Sequence, residues 1–361
     1  MPALDGLRGL AVLMVVALHV GFLVDSGGRS YVPGGLFGVD VFFVLSGFLI
    51  TALLLQERHR AGRYSFKNFY LRRAFRLLPA LAGLLAADLV YSLLDGRTMW
   101  HVAESIGSIA FYVSNITQSV HLFMPGELSH TWSLAVEEQF YLFWPALLLM
   151  ILAWRVRRRQ GPQLLVPWAV PLGIAATMAV RIVMWRTLGY PAAYMLLVCR
   201  SDALLLGCGL AFLYDQGRLP RARAGTAGWI GLAGLLLLTV FWDDSSASVY
   251  YGVFTLVAVL SAAVINALMV TSGSLTRVFS WRPLVGVGRV SYGLYLWHAW
   301  VLNVLLQHPL GLGAWPRAFI GLAVSAVVTL MSWRLVEQPA LRLKNRFGSV
   351  PLKRSPALER A

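Results

Sequence analysis

The run DGLRGLAVLMVVALHV, residues 5–20, is apolar enough to lie in lipid, yet it carries Arg8 near its start and His19 deep inside. Eleven residues separate the two, about three helical turns and ~16 Å of rise, so both side chains project from nearly one face. Imidazole titrates at about 6.5 in water, and its neutral ring accepts a proton from a hydroxyl, which is the task of a general base. An ionisable group at membrane depth is costly and marks a functional site by default. Snorkelling of Arg8 to headgroups and an interhelical hydrogen bond from His19 would account for the same residues.

A second set is cationic. ERHRAGRYSFKNFYLRRAFRLLPA, residues 57–80, brings Arg72, Arg73 and Arg76 to the entry of an apolar run. Arg73 and Arg76 are i,i+3 neighbours whose planar forks suit a phosphate-bearing ligand such as the nucleotide end of coenzyme A. The alternative is a topology signal that pairs with anionic lipid. A third set is acidic: HTWSLAVEEQFYLFWP, residues 130–145, places Glu137 and Glu138 about one turn in from the expected outer face. Arg200 or Asp202, in VCRSDALLLG, is the expected partner for one of them, either as a structural ion pair or within a site. GVDVFFVLSGFLIT carries Asp40 near its outer end and Ser46-Gly47 near its middle, a notch that suits either helix packing or a ligand. GRVSYGLYLWHAW puts His298 among aromatic residues, and RLVEQPAL ends with Glu337 before Pro339; both read as bundle closures or as cavity groups.

These residues need membrane helices to position them. The 361 residues are 58% hydrophobic and 13% charged, with a mean hydropathy of +0.67, more apolar surface than a soluble core of this size hides. The fold class is therefore all-α, a polytopic helical bundle. Apolar stretches predict ten spans, near 7–24, 39–56, 77–94, 134–154, 164–183, 194–214, 228–243, 250–270, 292–307 and 315–336. Lys and Arg cluster in 57–76, 155–160, 215–225, 271–289 and the tail, whereas 25–38, 95–133 and 184–193 carry one each. All the basic segments share one side only if 95–133 does not cross, which makes both termini cytoplasmic. That segment then lies on the outer face or dips into the bundle, and a dipping backbone is tolerated only against protein or water.

The formal charge of +15 raises nucleic acid as a partner, but the charge sits in short loops between spans, so no nucleic acid is expected and the bilayer is. Cys199 and Cys208 share one apolar run and read as packing residues, with no metal site and no cofactor implied. The first run lacks an A-x-A-like cleavage site and reads as a retained span. One membrane domain, 1–340, followed by a basic cytoplasmic tail, 341–361, is the expected organisation.

The ordered blocks LDGLRGLAVLMVVALH, GVDVFFVLSGFLIT, FYLRRAFRLLP, HTWSLAVEEQFYLFWP, RSDALLLGCGLA, SYGLYLWH and VEQP resemble the integral-membrane acyltransferase family 3 over residues 4 to 340 or so. The resemblance implies ten spans, an acyl-CoA donor on the cytoplasmic side as co-substrate, and a hydroxyl acceptor that is usually a sugar. It maps the family's Arg and His of the first span onto Arg8 and His19, and its RxxR block onto Arg73 and Arg76. Trp300 departs from the Pro that relatives often carry after LWH. Some members continue into an additional span and an outer hydrolase-like domain; this sequence stops after the basic tail, so the membrane domain is expected to complete the transfer itself.

The expected function is a plasma-membrane O-acyltransferase that moves an acyl group, acetyl by expectation, to a hydroxyl of a cell-surface glycan, a glycolipid or a glycosylated product such as a macrolide. His19 is the expected base, with Arg8 and Glu137 beside it. Arg72, Arg73 and Arg76 would hold the donor, and Ser46, Trp132, Glu138 and His298 would line the acceptor cavity. The rival class is a proton-coupled transporter, which a buried His and acidic residues also suit; it predicts inverted repeats that the sequence does not show.

Overall fold

The computed structural model describes residues 1–24, 31–61, 65–157, 166–243 and 245–344. Parts of the basic segments 57–76 and 155–160, and the expected tail beyond Lys344, lie outside the described residues. Those described are helical, with no strand among them. In chain order the helices are α1 (Pro2–Val24), α2 (Phe37–Ala61), α3 (Phe66–Leu94), α4 (Met99–Ala110), α5 (Ser114–Ser119), α6 (Trp132–Arg157), α7 (Val166–Leu188), α8 (Tyr190–Met195) and α9 (Leu197–Asp215). They continue with α10 (Ala224–Phe241), α11 (Phe254–Val270), α12 (Ser274–Phe279), α13 (Arg282–Arg289), α14 (Ser291–Gln307), α15 (Ala314–Ser332) and α16 (Gln338–Lys344).

Nine described helical segments are long and apolar enough to cross a membrane. The remaining expected span, 292–307, is α14, whose 17 residues rise about 26 Å, short of a hydrocarbon core of about 30 Å. The segment 95–131 folds into α4, α5 and a 3-10 turn, Gly126–Thr131, none long enough to span. α5 is not a surface loop. Its Ser114, Asn115, Gln118 and Ser119 are buried, and Asn115 exchanges side-chain amide hydrogen bonds with Gln139 of α6 while donating to the Met195 carbonyl. The dipping backbone is satisfied by protein, as burial away from water requires.

Two helix starts differ from the sequence expectation, and both move candidate residues. α3 begins at Phe66 because Ser65 caps it, its hydroxyl accepting from the Asn68 N–H at 3.3 Å. Arg72, Arg73 and Arg76 are therefore a turn or more inside a helix rather than ahead of the third span. The helical path into α6 begins at Gly126 rather than at 134, with a 3-10 turn first, which puts Glu137 eleven residues, about 20 Å, from its start instead of one turn.

The core joins α1, α2, α9 and α11, with α6 closing one flank and α13 and α14 packed on α1. α2 and α9 meet backbone to backbone: a Cβ on Gly47 would collide with the Leu204 carbonyl, and one on Gly207 with the Val44 carbonyl. Glycine allows that approach because it has no side chain to clear. A buried ion pair completes the seam, Arg200 on Asp40 at 2.8 Å, and a second, Arg181 on Asp202 at 2.9 Å, ties α7 to α9. Glu337 is likewise buried, accepting from the Ser332 hydroxyl at 3.2 Å.

Candidate active site

Two of the cavities in the bundle lie toward opposite ends of α1. The first, the basic-face cavity of about 440 Å³, is lined by Arg8, Arg73, Arg76, Ser46, Glu137 and Tyr141 among others. The second, of about 880 Å³, is lined by His19, His130, Trp132, Tyr190, Tyr194 and Asp243 among others. Arg8 and His19 share one face of α1, as their spacing predicts, and each lines one of the two cavities.

The basic-face cavity is built by period-four ladders. Ser133, Glu137 and Tyr141 are successive i,i+4 positions on α6, and Val39, Phe42, Phe43, Ser46 and Ile50 line it from α2. Arg76 reaches solvent, and no carboxylate lies within ion-pair distance of it among the described residues, which suits it to an external anion. Arg73 is committed: its guanidinium donates to Glu138 at 2.8 Å and stacks 3.2 Å over the Tyr141 ring. Arg72 pairs with Glu57 at 2.8 Å and does not line the cavity. Of the expected trio of donor-binding arginines, Arg73 and Arg76 therefore line the cavity and Arg72, turned to Glu57, does not.

Glu137 and Glu138 are displaced from their expected outer position. Glu137 faces the basic-face cavity and accepts from the Ser46 hydroxyl at 2.7 Å; Glu138 binds Arg73 and lines neither cavity. Ser46 accordingly belongs to the basic-face cavity rather than to the acceptor side. Arg200 and Asp202 partner Asp40 and Arg181, not the glutamates.

On the opposite face, His19 donates through Nδ1–H to the Val15 carbonyl at 2.9 Å. That bond leaves the Nε2 lone pair as the ring's acceptor. His298 does not line the cavity; it is fully buried behind His19, the two rings meeting edge to face at 4.9 Å. His298 uses Nδ1 toward the Leu294 carbonyl at 2.7 Å, and its Nε2 has no partner among the described residues. Trp132 does line this cavity, its ring packed at 4.7 Å against that of Tyr194 and tilted by 49°. Behind that aromatic wall the Arg200 guanidinium lies 5.3 Å from the Tyr194 ring and 6.0 Å from Trp132. Such a wall, with Asp243 and Gln118 at its rim, offers stacking surface and hydrogen bonds of the kind a sugar ring uses.

Sequence reading passed over His130, Ser133, Tyr194 and Tyr295. Ser133 and Tyr295 were within reach, the first as i−4 to Glu137 and the second as i−3 to His298. His130 and Tyr194 owe their place to tertiary packing alone.

A family model described as an acyltransferase domain matches residues 1–334. The chain belongs to acyltransferase family 3. This acyltransferase is 34% identical to the peptidoglycan O-acetyltransferase OatA of Listeria monocytogenes, over 94% of this chain and 55% of that protein. It is 33% identical to the putative peptidoglycan O-acetyltransferase YrhL of Bacillus subtilis, over 94% and 54% of the two chains. A putative O-acetyltransferase of Staphylococcus aureus is also 33% identical, over 94% and 57%. The acyltransferase thus spans little more than half the length of these relatives. No solved structure matches it.

Proposed function

We propose that this membrane acyltransferase is an O-acetyltransferase of the plasma membrane that takes its acetyl group from acetyl-CoA at the basic face and delivers it to a hydroxyl of a cell-envelope glycan at the other. The observation that carries this reading is the pair of cavities, one lined by arginines and the other by histidines, set toward the two ends of the Arg8 to His19 face of α1 and sharing Val39 and Tyr295 as lining. Arg76 and Arg8 hold donor phosphates at the mouth, and the pantetheine arm runs along that face, a distance of about 16 Å. His19 Nε2 takes the proton of the acceptor hydroxyl as its oxygen attacks the thioester carbon. The aromatic wall of Trp132 and Tyr194 orients the sugar. The names of the relatives make peptidoglycan the first acceptor to try.

Membranes carrying the protein, supplied with labelled acetyl-CoA and soluble peptidoglycan fragments, should release free thiol and label the glycan. Thiol release that ignores added acceptor, or label that crosses the membrane without thiol release as a transporter would produce, overturns the reading.

A further inference from the structure

In the transfer proposed above, the acyl carbon leaves a donor in one cavity and ends on an acceptor in the other. The two cavities have two lining residues in common, Val39 and Tyr295. Val39 is apolar, so Tyr295 carries the one hydrogen-bonding side chain lining both. Its hydroxyl is buried and doubly engaged. It donates to the His130 carbonyl at 2.8 Å and lies 2.5 Å from the Ser133 hydroxyl. Ser133 lines the basic-face cavity and His130 the opposite one. The Tyr295 ring is 5.8 Å from that of His298, which touches His19. A hydroxyl donor and the candidate base therefore flank the point where donor and acceptor must meet.

Resting on that acetyltransferase reading, we propose that the Tyr295 hydroxyl is a catalytic residue that stabilises the oxyanion formed on the thioester carbonyl oxygen, with Ser133 as its positioning residue. The acceptor oxygen bonds to the carbonyl carbon while its proton passes to His19 Nε2, and the carbonyl π pair moves onto oxygen. Rotation about the phenol C–O bond turns the Tyr295 hydrogen from the His130 carbonyl to that oxyanion, while Ser133 donates to the phenol oxygen and strengthens it as a donor. The oxyanion pair then reforms the carbonyl, the carbon–sulfur bond breaks, and the imidazolium returns its proton to the departing thiolate. The products are an ester and a thiol, and the phenol keeps its own proton throughout. A donor held ready at the position of the developing charge acts on the transition state and not on binding.

The test uses the full chain in liposomes, with acetyl-CoA as donor and either an N-acetylglucosamine oligomer or water alone as acceptor, because slow hydrolysis passes through the same oxyanion. Tyr295→Phe should lower turnover of both reactions by about 10²- to 10³-fold and leave both KM values within about twofold. Retained coenzyme A binding certifies the fold. Ser133→Ala should lower turnover by about tenfold, and Ser133→Thr, which keeps the hydroxyl, should restore most of it. Turnover of Tyr295→Phe within about threefold of the parent, or a loss expressed as a raised KM, overturns the proposal. If Tyr295→Phe fails to bind coenzyme A, the Ser133 pair decides: a loss rescued by Thr supports the assignment, and equal behaviour of Ala and Thr overturns it. Wild-type thiol release in water with none added by the oligomer counts against the acceptor reading and leaves the Tyr295 comparison intact.

Discussion

His19→Gln separates chemistry from packing, because glutamine still donates a hydrogen bond inside the bundle but accepts no proton at neutral pH. If Nε2 is the base, turnover should fall by roughly 10²- to 10⁴-fold in the thiol-release assay, with coenzyme A binding retained. A variant that keeps most of its turnover would return His19 to an interhelical contact. The arginines call for a different measurement. Arg76→Ala should raise the KM for acetyl-CoA by about tenfold with turnover nearly unchanged, since a lost phosphate contact weakens ground and transition states alike. Arg73→Ala removes the partner of Glu138 beneath Tyr141 and should instead lower stability by roughly 1–3 kcal/mol. A donor KM that responds equally to both would contradict the division drawn between them. Much at this scale was legible beforehand. The spacing of Arg8 and His19 fixes a common face, and the Arg73 and Arg76 pair fixes another. What the spacing does not contain is partner choice: nothing in the residues 130–145 says that Glu138 meets Arg73 and Glu137 meets Ser46.

At the scale of elements, hydropathy finds the spans because each is a sustained apolar run, and it misplaces their ends because caps and turns are short-range chemistry. Ser65 and the 3-10 turn at Gly126–Thr131 extend two helical paths beyond their apolar runs, so Arg72, Arg73 and Arg76 and the two glutamates stand farther along their helices than hydropathy alone indicates. The α2 and α9 contact illustrates what pattern alone does signal: Ser46-Gly47 reads as a small-residue notch, and the structure fills it with the α9 backbone. Gly207→Val forces a branched side chain against the Val44 carbonyl and should cost about 1–3 kcal/mol, seen as a lower thermal midpoint in detergent. The same substitution at Gly225, where a side chain meets open space, should leave the midpoint unchanged. Equal midpoints for both variants would mean that the α2 and α9 seam is not closely packed.

Over the whole molecule, charge and hydropathy together predict a bundle with its basic loops on one side, and the cationic cavity is lined by Arg73 and Arg76 from one of those basic segments. The existence of two cavities, and their meeting at Tyr295, was not legible, because it depends on which faces of α1, α2, α6 and α14 converge. Orientation has its own check. A cysteine at His101 should be labelled by an impermeant reagent from outside intact cells and one at Lys67 should not; the reverse pattern would invert the orientation. Cys199 and Cys208 are buried and give no background.

In the proposed transfer the two substrates enter from opposite faces. The measurement that addresses it is thiol release from sealed vesicles of defined orientation, with acetyl-CoA and peptidoglycan fragments each confined to one side. Turnover should appear only when acetyl-CoA is on the face bearing Arg76 and the glycan is on the face bearing Trp132, and the acetylated product should remain on the glycan's side. Equal turnover with both substrates on the same side of the membrane would contradict it.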